Sequence, residues 1–320
     1  MTLFINSFYF LALILASPWI VWRFCWKGRS FHNFRTRFTG NVQSLSASAN
    51  QKTVWFHGVS VGEIHLLRQV VSTIQTSKPD WFVVVSSSTD NGLLEAQKCF
   101  KGIPVILFPL DFSWAINKAL SQIKPDLIVL AESEIWPNFL HCCKAKDIPV
   151  AVINGRMSPR TQARYLNFPW LAKAFFSKIS AFALQNIETE NFLHRIGVSP
   201  ISTRVTGSIK FDGVTFSRND PNIEKFRSMF GIKPNELVWV AGSTQDPEEQ
   251  YLLNAYIVLK KEFPLLRLIL VPRQPDLFNQ VRKQIELTGL PFKNRSDLGP
   301  TVAPDDSIIL VDTLGELRFV

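Results

Sequence analysis

Paired cysteines are the first thing missing. The chain has four cysteines in 320 residues, Cys25, Cys99, Cys142 and Cys143, and no Cys-x-x-Cys pair. That counts against a zinc site or a disulfide framework and fits a reducing, cytoplasmic setting for the main body. No dedicated set of metal ligands stands out, so no metal-binding residues are assigned and no cofactor is expected; whether a metal is required stays open. No run of Lys or Arg is interleaved with aromatics, which places nucleic acid below other anionic partners. Short-period repeats and low-complexity tracts are absent too. The last absence is local: residues 2–22 carry no charge. At ~1.5 Å per helical residue they reach roughly 30 Å, the thickness of a hydrocarbon core. Arg23, Lys27, Arg29, Arg35 and Arg37 follow at once, which keeps the body on the cytoplasmic side. The charge comes after the apolar run rather than before it, unlike a cleaved signal peptide. Residues 1–30 are therefore expected to be a membrane anchor. Pro18, Trp19 and Trp22 suit an interfacial end, and the depth of the segment stays open.

What is present points to an α/β body. Hydrophobic residues make up 46% of the chain and the formal net charge is +9. The length suits about two domains. The charge suits an anionic partner such as a phosphorylated substrate or an anionic membrane face. The organising stretch is His57-Gly58-Val59-Ser60-Val61-Gly62-Glu63. An apolar strand, Val54-Trp55-Phe56, leads in. Ile64, Leu67, Val70, Val71 and Ile74 lead out at helical spacing. Strand, glycine turn and helix bring backbone N–H groups to one point, and the two glycines are expected to let a substrate come close. Glu63 stands at the mouth of the turn. It is either a base or a charge that complements the helix dipole.

Further strands are expected at Phe82-Val83-Val84-Val85, Val105-Ile106-Leu107-Phe108, Leu127-Ile128-Val129-Leu130, Val150-Ala151-Val152-Ile153 and Ala181-Phe182-Ala183-Leu184. Continuous apolar strands alternating with helices indicate a parallel sheet covered on both faces. Ligands of such sheets bind beyond the carboxyl ends of the strands. The pattern pauses over residues 213–222. A second series then follows at Leu237-Val238-Trp239-Val240, Leu268-Ile269-Leu270-Val271 and Ile308-Ile309-Leu310-Val311. The expected division is thus 1–30 anchor, 31–212 first Rossmann-like domain and 213–320 second, with a cleft between the two domains.

Polar clusters stand at the strand ends. Glu132 and Glu134 can hold a cation or position hydroxyls, and one of them can instead cap the next helix. Arg156 and Arg160 flank a helix start and suit a phosphate or carboxylate. Lys210, just before the interdomain loop, is expected at the cleft. Gly242-Ser243-Thr244 is either a phosphate cradle or an ordinary helix cap. Arg273 offers a guanidinium to a nucleotide phosphate.

Seven segments in order resemble one family. They are His57-Gly58-Val59-Ser60-Val61-Gly62-Glu63, Glu132-Ser133-Glu134-Ile135-Trp136-Pro137-Asn138, Asn154-Gly155-Arg156-Met157-Ser158, Thr206-Gly207-Ser208-Ile209-Lys210-Phe211-Asp212, Ala241-Gly242-Ser243-Thr244, Leu270-Val271-Pro272-Arg273 and Asp312-Thr313-Leu314-Gly315-Glu316-Leu317. Together they resemble the 3-deoxy-D-manno-octulosonic acid (Kdo) transferases of lipopolysaccharide synthesis. The resemblance implies an inner-membrane glycosyltransferase of the GT-B class with two Rossmann-like domains and an anchored N-terminus. The donor it implies is CMP-Kdo and the acceptor is the lipid A precursor. It implies Glu63 as catalytic base, Glu132 and Lys210 as transition-state stabilisers, and Pro272, Arg273, Leu314, Gly315 and Glu316 as contacts to CMP. No covalent sugar–enzyme species is needed, so an inverting single displacement is the simplest mechanism.

Two departures qualify the expectation. Gln245-Asp246-Pro247 stands where the family usually has His-Glu-Gly. The chain also ends before the family's glycine-rich stretch and its Asn-Pro-Leu-Glu segment. A helix opened by Thr313 is expected to leave Leu317, Phe319 and Val320 without a core. The second domain is accordingly expected to be incomplete, with weak or absent activity. The alternative is a non-catalytic, membrane-tethered remnant that binds lipid A.

Overall fold

A computed structural model of the chain describes all residues except 1, 28–30, 43–44, 46–47, 49–50, 133, 213–220, 299–307 and 318–319; the side chains of 18–27 and 31–32 are outside the description as well. Two compact units result, Met1–Val214 and Thr215–Val320. Along unit 1 run α1 (Thr2–Lys27), α2 (Phe31–Thr39), β1 (Thr53–His57), α3 (Val61–Ser77), β2 (Phe82–Ser87), α4 (Asp90–Cys99), β3 (Val105–Leu107), α5 (Ser113–Ile123), β4 (Leu127–Ala131) and α6 (Pro137–Ala145). There follow β5 (Val150–Gly155), α7 (Pro159–Leu166), α8 (Pro169–Phe176), β6 (Ala181–Leu184), α9 (Ile187–Arg195) and β7 (Thr203–Val205). Unit 2 contains α10 (Pro221–Met229), β8 (Leu237–Thr244), α11 (Glu248–Glu262), β9 (Leu266–Pro272), α12 (Phe278–Leu287), β10 (Phe292–Asn294) and β11 (Ile308–Leu310).

The sheet of unit 1 has the order β3-β2-β1-β4-β5-β6-β7, and every pairing in it is parallel. Alternation along β1 explains its apolar sequence. Trp55 packs on one face with Phe108, Ile128 and Phe139. Val54 and Phe56 pack on the other with Ile64 and Leu67 of α3. Both faces are covered, so no polar residue is tolerated in the middle of the strand. Trp55 satisfies its one polar atom by donating from Nε1 to Ser86 Oγ at 2.8 Å. Unit 2 has a four-stranded parallel sheet in the order β10-β11-β9-β8. β7 and β10 were not expected from the sequence. Each is three residues long and lies at a sheet edge, where mixed polarity is no obstacle.

The tail of the chain differs from the expectation. Thr313 opens no helix; residues 313–315 are bends. The residues after β11 are not left without a core either. Val320 packs against the cluster of Phe226, Val271 and Ile309. A Leu317 methyl lies so close to Gly242 that a Cβ there would meet it at 2.7 Å. Phe319 lies outside the described residues.

α1 also differs from a free anchor. Asn6 bonds to unit 1 through Ser113 and Asn138, and Tyr9 Oη donates to Asp111 Oδ2 at 3.0 Å. The half-buried positions Thr2, Ile5, Asn6, Tyr9, Leu13 and Ala16 form one helical stripe. Phe4, Phe8, Leu11 and Leu15 form another and are exposed. Among the described residues no helix is long and apolar enough to cross a membrane. The side chains of Pro18, Trp19, Trp22, Arg23 and Lys27, and all of Arg29, lie outside the described residues.

Candidate functional site

β1 sits between β2 and β4. The chain leaves β1 toward one side of the sheet and later continues from β4 toward the other. A crevice therefore opens at their carboxyl ends, where open parallel sheets bind ligands. The loop after β1 leads to Glu63 in the first turn of α3, and the loop after β4 carries Glu132 and Glu134.

Ser60 and Glu63 form the start of α3 as a Ser-x-x-Glu box. Ser60 is the N-cap and its Oγ accepts from Glu63 N. The Glu63 carboxylate turns back over the loop. Its Oε2 accepts from Val59 N at 2.8 Å and its Oε1 from Ser60 Oγ at 2.8 Å. Glu63 therefore does complete the helix start, and it is 8% exposed. Each carboxylate oxygen keeps a second lone pair. The two glycines of the turn differ in purpose. A Cβ on Gly58 would lie 3.1 Å from Glu63 Cβ and 3.2 Å from Leu67 Cδ1. Gly58 thus makes room for the Glu63 side chain, not for a ligand. At Gly62 the nearest atom to such a Cβ is Ser60 Oγ, 3.9 Å away, so that side of the turn is open.

His57, at the end of β1, is completely buried. It stacks on Phe108 with ring centroids 3.9 Å apart and places Nδ1 2.9 Å from Ser86 Oγ. Burial drives its pKa down to about 3. A neutral imidazole packed in this way supports the loop after β1 instead of exchanging protons with a ligand.

The two carboxylates after β4 are not equivalent. Glu132 has a left-handed backbone, φ 57°, and pairs with Arg156 Nε at 3.7 Å. Glu134 has its pKa pushed up from 4.5 to about 7, by burial first and the Glu63 charge next. Neither caps α6. That role belongs to Asp111, whose Oδ2 accepts from Asn138 N at 3.0 Å and whose Oδ1 accepts from Phe139 N at 2.7 Å. A pocket of about 570 Å³ lies beside the pair and is lined by Glu132, Glu134, Arg156, Ser158, Tyr165 and Asn186, among others. Arg160 is on α7 and does not line it.

Asn154 is the residue whose role the sequence concealed. It is fully buried at the end of β5 with φ 54°. Its Oδ1 accepts from Ile209 N at 3.1 Å and its own carbonyl accepts from Gln185 Nε2 at 3.0 Å. Its Nδ2 has no hydrogen-bond partner among the described residues. One residue thereby ties the loops after β5, β6 and β7 together, its carbonyl holding Gln185 and its side chain holding the short 3-10 turn Ile209–Phe211 that carries Lys210. Lys210 is exposed. The Asn154-Gly155 pair at the end of an apolar run was the available signal, since asparagine is enriched where the backbone turns left-handed.

In unit 2 the expected nucleotide residues gather beyond the ends of three neighbouring strands. Pro272 ends β9 and is paired in register with Thr244 at the end of β8. Arg273 is exposed, and its N–H donates to Thr244 O at 2.9 Å. Leu314 is exposed and Gly315 has φ 82°. Glu316 accepts from Arg295 Nη2 at 3.0 Å on Oε1 and from Thr313 Oγ1 on Oε2. The Gly242-Ser243-Thr244 loop leads into α11 through a cap: Gln245 N donates to Glu248 Oε2 at 2.9 Å.

Comparison with known proteins agrees with this arrangement. The family profile described as 3-Deoxy-D-manno-octulosonic-acid transferase (kdotransferase) matches residues 32–213. A bifunctional glycosyltransferase/methyltransferase of Fusobacterium nucleatum is 32% identical over 86% of this chain and 43% of its own length. A 3-deoxy-D-manno-octulosonic acid transferase of Haemophilus influenzae is 29% identical over 83% of this chain and 62% of its own. The chain thus spans about half the length of these relatives. Among solved structures, the UDP-GlcNAc 2-epimerase of Neisseria meningitidis bound to UDP-GlcNAc matches with a TM-score of 0.54 at 13% identity, covering 83% of this chain and 73% of that one. At that identity the likeness concerns the fold, which is α/β and GT-B-like with two parallel Rossmann-like sheets. With more than half of its residues matched by the family profile and the expected segments at the strand ends, the chain belongs to the 3-deoxy-D-manno-octulosonic-acid transferase family.

Proposed function

We propose that the chain acts in transfer of Kdo from CMP-Kdo to the lipid A precursor, with unit 1 receiving the acceptor. The observation that carries this reading is the placement of Glu63 at the β1 crossover, near enough to Glu134 to raise its pKa, with Glu134 and Glu132 lining a pocket beyond the strand ends. A sugar hydroxyl is a poor nucleophile, and a carboxylate in hydrogen-bond reach lowers the barrier by taking its proton. Glu63 is that base; its loop donors hold the carboxylate while leaving a lone pair on each oxygen. Attack at the anomeric carbon opposite the departing CMP gives inversion in one displacement.

Charge accumulates on the leaving phosphate. Lys210 and Arg273 are the cations assigned to it, and Glu132, oriented by Arg156, stabilises the reacting sugar. Pro272, Leu314, Gly315 and Glu316 complete the CMP contacts. α1 holds the protein at the inner face of the membrane by lying in the interface, its exposed Phe4, Phe8, Leu11 and Leu15 turned toward acyl chains and its polar stripe bound to unit 1.

The test uses the 320-residue chain with CMP-Kdo and a tetra-acylated, doubly phosphorylated glucosamine disaccharide in vesicles. CMP release and precursor binding are measured for the native chain and for Glu63→Gln. The amide oxygen of glutamine still accepts from Val59 N, so the helix start survives. Release is expected to fall by about 10²–10⁴-fold, the usual worth of general-base catalysis, with binding unchanged. Release by E63Q at the native rate removes Glu63 from the mechanism. Precursor binding with no CMP release by the native chain overturns the transferase reading of these residues in favour of a binding role.

A further inference from the structure

Where α3 and α4 pack side by side, three side chains with metal-ligating atoms face one another. His65 on α3 places Nε2 3.3 Å from Glu95 Oε1. Cys99, one turn beyond Glu95 on α4, places Sγ 3.7 Å from the same Oε1 and 4.0 Å from His65 Nδ1. One ligand atom from each residue can be chosen so that all three lie within 4.8 Å of one another. A tetrahedral zinc ion with bonds of about 2.0 Å to N and O and about 2.3 Å to S has edges of about 3.3–3.6 Å between its ligands. The imidazole–carboxylate and thiol–carboxylate separations already fall near those edges. Only a modest rotation of the half-exposed imidazole is needed to bring its nitrogen closer to sulfur.

We propose that His65, Glu95 and Cys99 form a three-ligand site for a borderline divalent cation of the zinc type, with water in the fourth position. The donor set selects the ion. One thiolate and one imidazole suit zinc and its transition-metal neighbours, whereas calcium and magnesium require mainly oxygen. On binding, the Cys99 S–H bond breaks, its proton passes to solvent and the metal–sulfur bond forms. The thiolate and the Glu95 carboxylate then neutralise a 2+ ion. Lys98 pairs with the other carboxylate oxygen, Oε2, at 3.6 Å, so that ion pair and the metal use different atoms. Burial and the Glu95 charge hold the Cys99 thiol above its ordinary range, with Arg68 and Lys98 opposing them, so it is the incoming metal that displaces the proton. The sequence concealed this group because 29 intervening residues separate His65 from Glu95; only the packing of two consecutive crossover helices brings them together.

The experiment uses the full chain, stripped with chelator and kept reduced. Zinc is titrated calorimetrically, and cobalt is added separately as an optical probe. Expected are one equivalent of zinc bound and, with cobalt, a sulfur-to-metal charge-transfer band together with visible bands of four-coordinate intensity. Cys99→Ser should abolish the charge-transfer band. His65→Gln and Glu95→Gln should each weaken binding at least tenfold while leaving circular dichroism unchanged, since His65 is exposed and Glu95 is only partly buried. Cys142→Ser, a substitution in the core away from the group, serves as control. Failure of the native chain to bind a stoichiometric equivalent, or a C99S protein with native affinity and spectrum, overturns the assignment.

Discussion

Glu134→Gln tests the electrostatics of the crevice without requiring turnover. The Glu134 carboxyl is raised from 4.5 to about 7, so the folded chain holds a proton that the unfolded chain has lost. Below pH 4.5 the group is protonated in both states and has no net effect. As pH rises from 4.5 toward 7 the unfolded chain ionises first, and stability falls. Above about 7 both forms are ionised and the cost is constant. At about 1.4 kcal/mol per pKa unit, the full shift corresponds to roughly 3.4 kcal/mol. Glu134 is only half-buried, so solvent screening reduces this to about 1.5–2 kcal/mol. Glutamine mimics the protonated acid and escapes the cost.

E134Q should therefore stabilise unit 1 by about 1.5–2 kcal/mol at pH 8 and by well under half of that at pH 5. Urea unfolding followed by tryptophan fluorescence is suited to the measurement, because eight of the nine tryptophans precede Thr215. Glu63 is the second cause of the shift. In an E63Q background, then, E134Q should gain less, and the two substitutions should not add. An E134Q protein that is destabilised at both pH values, or whose gain is the same at pH 5 and pH 8, would refute the picture of three converging carboxylates.

Two other outcomes follow from buried groups. His57, with its pKa driven from 6.5 down to about 3 by burial, stays neutral in the fold while the unfolded chain takes up a proton. Its contribution is intact above pH 6.5 and is lost as pH falls toward 3, by about 2–3 kcal/mol at pH 4.5; His57→Gln should flatten that slope in unfolding measured from pH 7 to 4.5, and an unchanged slope counts against a buried neutral imidazole. Asn154→Ala removes the acceptor for Ile209 N and should cost about 1–2 kcal/mol, with kcat of CMP release falling more than KM changes. Asn154→Asp keeps Oδ1 and should retain most of the rate, and equal losses in both variants would leave Asn154 without a positioning role.

The sheet was legible because burial on both faces leaves a plain signature: runs such as Val83-Val84-Val85 have no polar interruption. β7 and β10, Thr-Arg-Val and Phe-Lys-Asn, carry no such signature, since an edge strand is covered less completely. Glu63, Glu132 and Lys210 were expected as site residues from their position after strands, and each does follow a strand in the fold. What the sequence did not reveal is how each is held. Glu63 is bonded by its own loop, Asp111 caps α6 from 26 residues upstream of Pro137, and Asn154 reaches Ile209 across 55 residues. The Glu63 bonds follow a local Ser-x-x-Glu pattern; the other two are tertiary hydrogen bonds of single polar residues, which no local pattern encodes.

The uncharged N-terminal run shows the same limit from the opposite side. Length and hydropathy alone permit a helix that spans a bilayer, and they ignore where the few polar atoms fall. Asn6 and Tyr9 are three residues apart, so they share one face of α1. Asn6 makes three hydrogen bonds to Ser113 and Asn138, and Tyr9 makes one to Asp111. In hydrocarbon each of these groups would be without a partner, at a cost of a few kcal/mol apiece. Against unit 1 they are satisfied, and Asp111 serves both α1 and the start of α6 with the same carboxylate. The opposite stripe, Phe4, Phe8, Leu11 and Leu15, then has only solvent or lipid to face. A helix bound to protein along one stripe and apolar along the other has the shape that the proposed interfacial placement requires.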